Sequence, residues 1–125
     1  MSSAPPPGPY SMSTPSQPEV LTFDVDGAMT GQFEGRDHGA TVSVILVDTD
    51  VPGAGPRLHQ HPYDETFVMH AGEAEFTVGD RKLTARAGQA VVVPPYTPHK
   101  FANVGGRLVM TNIHAGDEFE TEWLE

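Results

Sequence analysis

Apolar and polar residues alternate in short runs along most of this chain, and glycine or proline separates one run from the next. Side chains of an extended segment point alternately to opposite faces, so such runs predict strands with one face in a core. Residues 20–23 and 31–35 predict two short strands. Residues 40–47 (ATVSVILV) are rich in β-branched types, and their apolar stretch predicts a strand covered on both faces. Its alternating sets, Val42, Val44 and Leu46 against Ser43, Ile45 and Val47, are equal candidates for the inner wall. Residues 48–56 (DTDVPGAGP) carry turn formers throughout and predict a loop. Strands follow at 58–61 and 65–70. Residues 73–78 and 82–86 alternate on either side of Gly79-Asp80, which predicts a hairpin. Residues 90–93 are an apolar run stopped by Pro94-Pro95, and 99–104 pairs with 107–114 across Gly105-Gly106. No window carries a helical period. So many short strands predict a β-sandwich or a small barrel.

Composition narrows the chemistry. The 125 residues suffice for one domain, and 13 glycines with 12 prolines exclude a helical bundle. The absence of cysteine excludes a disulfide scaffold, an iron–sulfur cluster and a thiol nucleophile, so a metal would be held by nitrogen and oxygen. Seven basic residues against 17 acidic ones give a net charge of −10, and the bases are scattered, which argues against nucleic acid as a partner. No long apolar run points to a membrane. The Pro/Ser-rich residues 1–18 carry neither a basic nor an apolar signal segment; they predict a disordered leader and a cytoplasmic protein. The domain is expected over 19–116. The acidic residues 117–125 include Phe119, Trp123 and Leu124, which suit docking on the body as an edge strand.

Six histidines stand at 38, 59, 61, 70, 99 and 114. In the run HQHPYDE, His59 and His61 share a strand face, and a turn at Pro62-Tyr63-Asp64 can bring Glu65 back to it. Asp64 is a rival carboxylate on spacing alone. His99, after the stiff PPYTP segment, can add a third imidazole. Such donors suit Mn, Fe, Co, Ni or Zn better than Ca or Mg.

These residues resemble the two motifs of the cupin superfamily. Gly53, His59, His61, Glu65 and Gly72 fall on the first without a gap, and Gly88, Pro94, His99 and Asn103 fall on the second. Tyr96 departs from it, where the motif prefers glycine, which is expected to alter the turn before His99 and set a ring near the pocket mouth. The resemblance implies an all-β, conical β-barrel of the double-stranded β-helix (jelly-roll) kind, with dimers common. It implies His59, His61, Glu65 and His99 as ligands of one divalent transition metal ion (Mn, Fe, Ni or Zn).

Alternation places Phe67 and Met69 on the face of Glu65, and Phe101 on that of His99. Met110 and Asn112 are taken to line the cavity, although Val109 and Ile113 on the opposite face would serve equally. Arg57 shares the face of His59 and is a candidate for an anionic group at the mouth. His38 and His70 are expected on the outside. Glu65 is a candidate base, and Tyr96 and His114 are candidate proton donors. A mostly apolar pocket with open metal positions leads to an oxygenase or dioxygenase acting on a small, largely apolar, oxygen-bearing molecule, in a homodimer. A non-redox metal-dependent lyase or isomerase and a non-catalytic binding protein are the alternatives.

Overall fold

The computed structural model describes residues 18–125 apart from residue 26, so residues 1–17 of the predicted leader lie outside the described residues. The first strands are β1 (Asp24–Val25), β2 (Ala28–Met29) and β3 (Gly31–Phe33), with β1 and β2 forming a two-stranded hairpin. A short 3-10 helix (Gly35–His38) precedes β4 (Ser43–Thr49). Then come β5 (His59–Gln60), β6 (Glu65–Ala71), β7 (Glu73–Val78), β8 (Arg81–Arg86), β9 (Ala90–Val93), β10 (His99–Asn103), β11 (Leu108–His114) and β12 (Glu122–Trp123).

Two five-stranded antiparallel sheets carry the fold, in the orders β12-β5-β10-β7-β8 and β3-β4-β11-β6-β9. This is the two-sheet double-stranded β-helix that the motifs imply. The alternation is literal in β11, where Leu108, Met110, Asn112 and His114 are buried and the residues between them are not. That settles the inner face against Val109 and Ile113. Glu65, Phe67 and Met69 of β6 and His99, Phe101 and Asn103 of β10 are buried in the same way. On β4 the inner set is Ser43, Ile45 and Val47, of which Ser43 is fully buried and the other two face the cavity.

Phe67, Phe76 and Phe101 meet at 5.0–5.9 Å between ring centres, two of the three pairs near edge-to-face, and pack with Met69, Leu108, Met110, Ala74, Ala85 and Val93. This core fills one end between the sheets. The other end is lined by histidines and remains open.

Three local expectations change. Residues 20–23 do not form a strand, because Val20 and Leu21 find no apolar cover; only Phe23 does, stacking on Phe33 at 6.2 Å. The strand expected over 31–35 stops at Phe33. Gly35 starts the 3-10 turn, so close to the chain at 40–42 that a Cβ there would lie 2.2 Å from the Val42 carbonyl oxygen. His38 in that turn is partly covered, its Nδ1 2.9 Å from Glu19 and its ring edge-on to Phe33. The loop expected from Asp48 begins after Thr49, because Asp48 stays in the ladder and is held by two contacts from Arg107 at 2.7 and 2.9 Å. No helix among the described residues is long and apolar enough to cross a membrane.

Candidate metal centre

His59 and His61 sit at the end of β5, Glu65 opens β6 and His99 opens β10. His99 pairs directly with His59, and the turn at residues 62–64 swings Glu65 across to the other sheet. The four side chains offer donor atoms that all lie within 4.8 Å of one another, and every one is buried. Asp64, the rival carboxylate, is exposed.

The second nitrogen of each ring settles its role. His59 Nδ1 donates to the Arg57 carbonyl, His99 Nδ1 to the Thr97 carbonyl and His61 Nδ1 to the Glu120 carbonyl, each at 2.8 Å. A carbonyl can only accept, so Nδ1 carries the proton and the Nε2 lone pair is free for a cation. Burial pushes the His59 imidazole down, which keeps it neutral and ready to bind. Burial pushes the Glu65 carboxyl up, but the surrounding groups, led by the His114 imidazole beside its second oxygen, outweigh that and hold it well below the usual carboxylate range.

The geometry fits a metal ion. His61 Nε2 and His99 Nε2 stand 3.1 and 3.0 Å from the same oxygen of Glu65. His61 Nε2 is buried and off the hydrogen-bonding line, so it has no partner. Converging lone pairs of this kind are stable around a cation. Three nitrogens and one carboxylate oxygen suit Mn, Fe, Ni or Zn.

His114 belongs to the same cluster with the opposite polarity. It is 3% exposed, and its Nε2 lies 3.1 Å from the second oxygen of Glu65. The Tyr63 hydroxyl accepts from Glu120 N–H at 3.1 Å and stands 3.0 Å from His114 Nδ1. The ionised Glu65 oxygen beside Nε2 can only accept, so the imidazole proton sits on Nε2, facing the carboxylate, and Nδ1 accepts from the phenol. There it meets no well-aligned acceptor. Burial also pushes the Tyr63 phenol up, so it stays protonated.

Above the centre lies a cavity of about 490 Å³. Phe67, Phe101, Asn112 and His114 are among the residues that line it. Met69 and Met110 do not line it: they pair with each other one step further along the ladder, inside the core. Arg57 stands outside, its guanidinium 5.2 Å above the ring of Trp123. Tyr96 is also outside; its ring is 68% exposed beside a smaller cleft. Its φ is +55°, a left-handed backbone that glycine takes more readily than tyrosine. His70 points out and bonds Thr111.

Sequence reasoning passed over Tyr63 and the Glu120 carbonyl. Tyr63 lies within HQHPYDE, and its ring stacks on His61 at 5.1 Å. The C-terminal segment does dock. Phe119, Thr121 and Trp123 line the cavity, β12 extends the sheet beside β5, and Trp123 lies 5.1 Å from His59.

The family model described as "Cupin domain" matches residues 47–120. The chain is 34% identical to Protein SchB of Streptomyces halstedii over 79 residues, 62% of this chain and 57% of that protein. An uncharacterized protein of Methanocaldococcus jannaschii is 32% identical over 89 residues, 67% of this chain and 71% of the other. Among solved structures, a Bacillus subtilis oxalate decarboxylase superposes with a TM-score of 0.66 at 27% identity, over 74% of this chain and 27% of that one. The formate complex of Lactobacillus farciminis oxalate decarboxylase gives 0.67 at 21% identity, over 80% and 32%, which speaks to the fold alone. The chain thus spans about a third or less of these enzymes and just over half of SchB. These likenesses run to decarboxylases and overturn the oxygenase and dioxygenase expectation.

Proposed function

This chain belongs to the cupin family, and from that premise we propose that it is a metal-dependent, non-redox lyase of the decarboxylase type. The observation that carries the reading is the buried three-histidine, one-glutamate cluster under a cavity, on a fold shared with oxalate decarboxylase at 27% identity. The substrate is a small carbonyl or carboxylate compound. His59, His61, Glu65 and His99 would hold the ion, which as a Lewis acid draws electron density from a substrate oxygen.

The chain's own residues do the rest. Phe67 and Phe101 on the floor and Phe119 and Trp123 on the roof keep water from the substrate and strengthen each polar contact. In a decarboxylation the carbon–carbon bond breaks, carbon dioxide leaves, and the electron pair stays on the remaining fragment. A proton must then replace the lost group. His114 lines the cavity, its Nε2–H has no well-aligned acceptor, and Tyr63 stands behind it to restore the proton; we assign His114 as the proton donor. Tyr96, outside the cavity, has no part in this step. Glu65 serves as a ligand. A homodimer remains part of the proposal: among the described residues β3 ends its sheet, and Trp123 and Leu124 are exposed at the edge of the other.

The test is a panel of keto acids, hydroxy acids and dicarboxylates on protein loaded in turn with Mn, Fe, Ni, Co and Zn, with carbon dioxide and oxygen read together. The expected result is metal-dependent carbon dioxide release without net oxygen consumption, abolished by His59→Ala. Stoichiometric oxygen uptake, or tight binding with no turnover across the panel, would overturn it.

A further inference from the structure

Resting on the lyase reading, we propose that the site takes a substrate bearing a single carboxylate, a hydroxyl some distance from it, and an apolar body, and that Asn112 selects for that hydroxyl.

The first argument is charge. No lysine or arginine is among the described residues that line the cavity; its ionisable groups are Glu65 and histidines. A divalent ion with one carboxylate ligand keeps one net positive charge, enough for one substrate carboxylate. A second carboxylate would stand against Phe67, Phe101, Ile45 or Val47, and the polar lining groups Gln32, Thr49, Asn112 and Thr121 carry no charge to offset its lost hydration. The two basic residues nearest the ligands in sequence are engaged elsewhere: Arg57 lies 5.2 Å over the Trp123 ring, and Lys100 pairs with Glu125 at 3.0 Å. The net charge of −10 further disfavours the approach of dianions.

Size is the second argument. A cavity of about 490 Å³ lies in the range that holds drug-sized ligands. The smallest dicarboxylates would leave most of the wall uncovered. Ile45, Val47, Phe67, Phe101, Phe119 and Trp123 make that wall apolar, which suits an aromatic or branched body.

Asn112 supplies the polar contact. It lies on β11 between Ile45 and Phe67 in the ladder, two residues from His114 on the same face. That puts it about 6.5–7 Å along the strand from the proton donor. The side chain is 4% exposed, and its Oδ1 has no hydrogen-bond partner. A buried amide left unpaired costs stability, and in a folded protein it usually has a purpose. Asn112 is among the residues that line the cavity, where a substrate hydroxyl set back from the carboxylate would donate to its Oδ1.

Equilibrium binding to the metal-loaded full chain tests this without turnover. Three matched ligands share one phenyl body: 3-hydroxy-3-phenylpropionate, 3-phenylpropionate and benzylmalonate. Oxalate is the fourth. The hydroxy monocarboxylate should bind about tenfold or more tighter than each of the others. In Asn112→Leu, which conserves volume, the preference for the hydroxyl over 3-phenylpropionate should shrink by about tenfold, with affinity for 3-phenylpropionate and metal unchanged. The part of the preference due to metal chelation survives in the variant, so the difference isolates the amide. Benzylmalonate or oxalate binding as tightly as the hydroxy acid would overturn the proposal, as would failure of every monocarboxylate to bind or an unaltered preference in the variant. Should Asn112→Leu not fold, the wild-type ranking alone decides. Oxalate turnover would sink this inference and leave the lyase reading standing. The expected binding with no turnover on any carboxylate would do the reverse.

Discussion

Ending the chain after Glu118 should weaken metal binding although no ligand is touched. The cut removes the Glu120 carbonyl that accepts from His61 Nδ1 at 2.8 Å, and with it the anchor that fixes this ring and its protonation. It also removes the Glu120 N–H that holds Tyr63, and Trp123 against His59. Losing a partner of this kind lowers metal affinity by roughly 10- to 100-fold, or about 1.4–2.7 kcal/mol. The other losses are small in comparison. The Lys100–Glu125 pair is exposed and contributes at most about 1 kcal/mol. The Leu124 N–H to Leu58 carbonyl bond, 2.9 Å long, sits at the sheet edge and adds about as much. The contacts that tie the segment's start remain, because Asp117 and Glu118 still bind Arg36 and the Gly116 carbonyl still accepts from Ser43. The assay is chelator competition on the intact and shortened proteins, with the metal-free melting temperature recorded beside it. A shortened chain that melts within a few degrees of the intact one and binds metal within about twofold as tightly would refute the anchoring argument.

Tyr63→Phe keeps the ring on His61 but removes the hydroxyl behind His114; kcat should fall by about a hundredfold with KM nearly unchanged, and steady-state kinetics with the metal-loaded enzyme will show it. The Arg107 guanidinium and the Met29 N–H lower the Asp48 carboxyl from 3.8 to about 2. Its stabilising contribution is therefore present above pH 3.8 and lost as the pH falls towards 2. The melting-temperature difference between wild type and Asp48→Asn should shrink over that window, and a constant difference would contradict the assignment. Gly72 has a φ of +82°, and a Cβ there would lie 2.2 Å from the Arg107 carbonyl oxygen, so Gly72→Ala should cost about 1–3 kcal/mol in chemical denaturation.

Period-two alternation and motif spacing made the ligand set legible before any coordinates. His59 and His61 share a face because they are two residues apart in a strand. Gly53, Gly72 and Gly88 mark places where the backbone takes a positive φ. The inner faces of β6 and β10 were equally open to reading, whereas alternation left two candidate faces on β11. Parity, however, states which face a side chain takes and says nothing of its depth between the sheets. Met69 and Met110 have the parity of Glu65 and His114, yet they lie in the core, because the ladder pairs them with each other and pairs His114 with Glu65. Tyr63 and Glu120 are 57 residues apart, and no local pattern can tell that one N–H meets the other's hydroxyl. Nor could it tell that the Glu120 carbonyl would orient His61. Those contacts depend on where the C-terminal segment crosses the mouth of the cavity, which pairing between β12 and β5 decides. The His59–His61 pair was written in short-range spacing and the cupin motifs added Glu65 and His99; the groups that orient them and supply the proton come from register between distant strands, which only the assembled sheets possess.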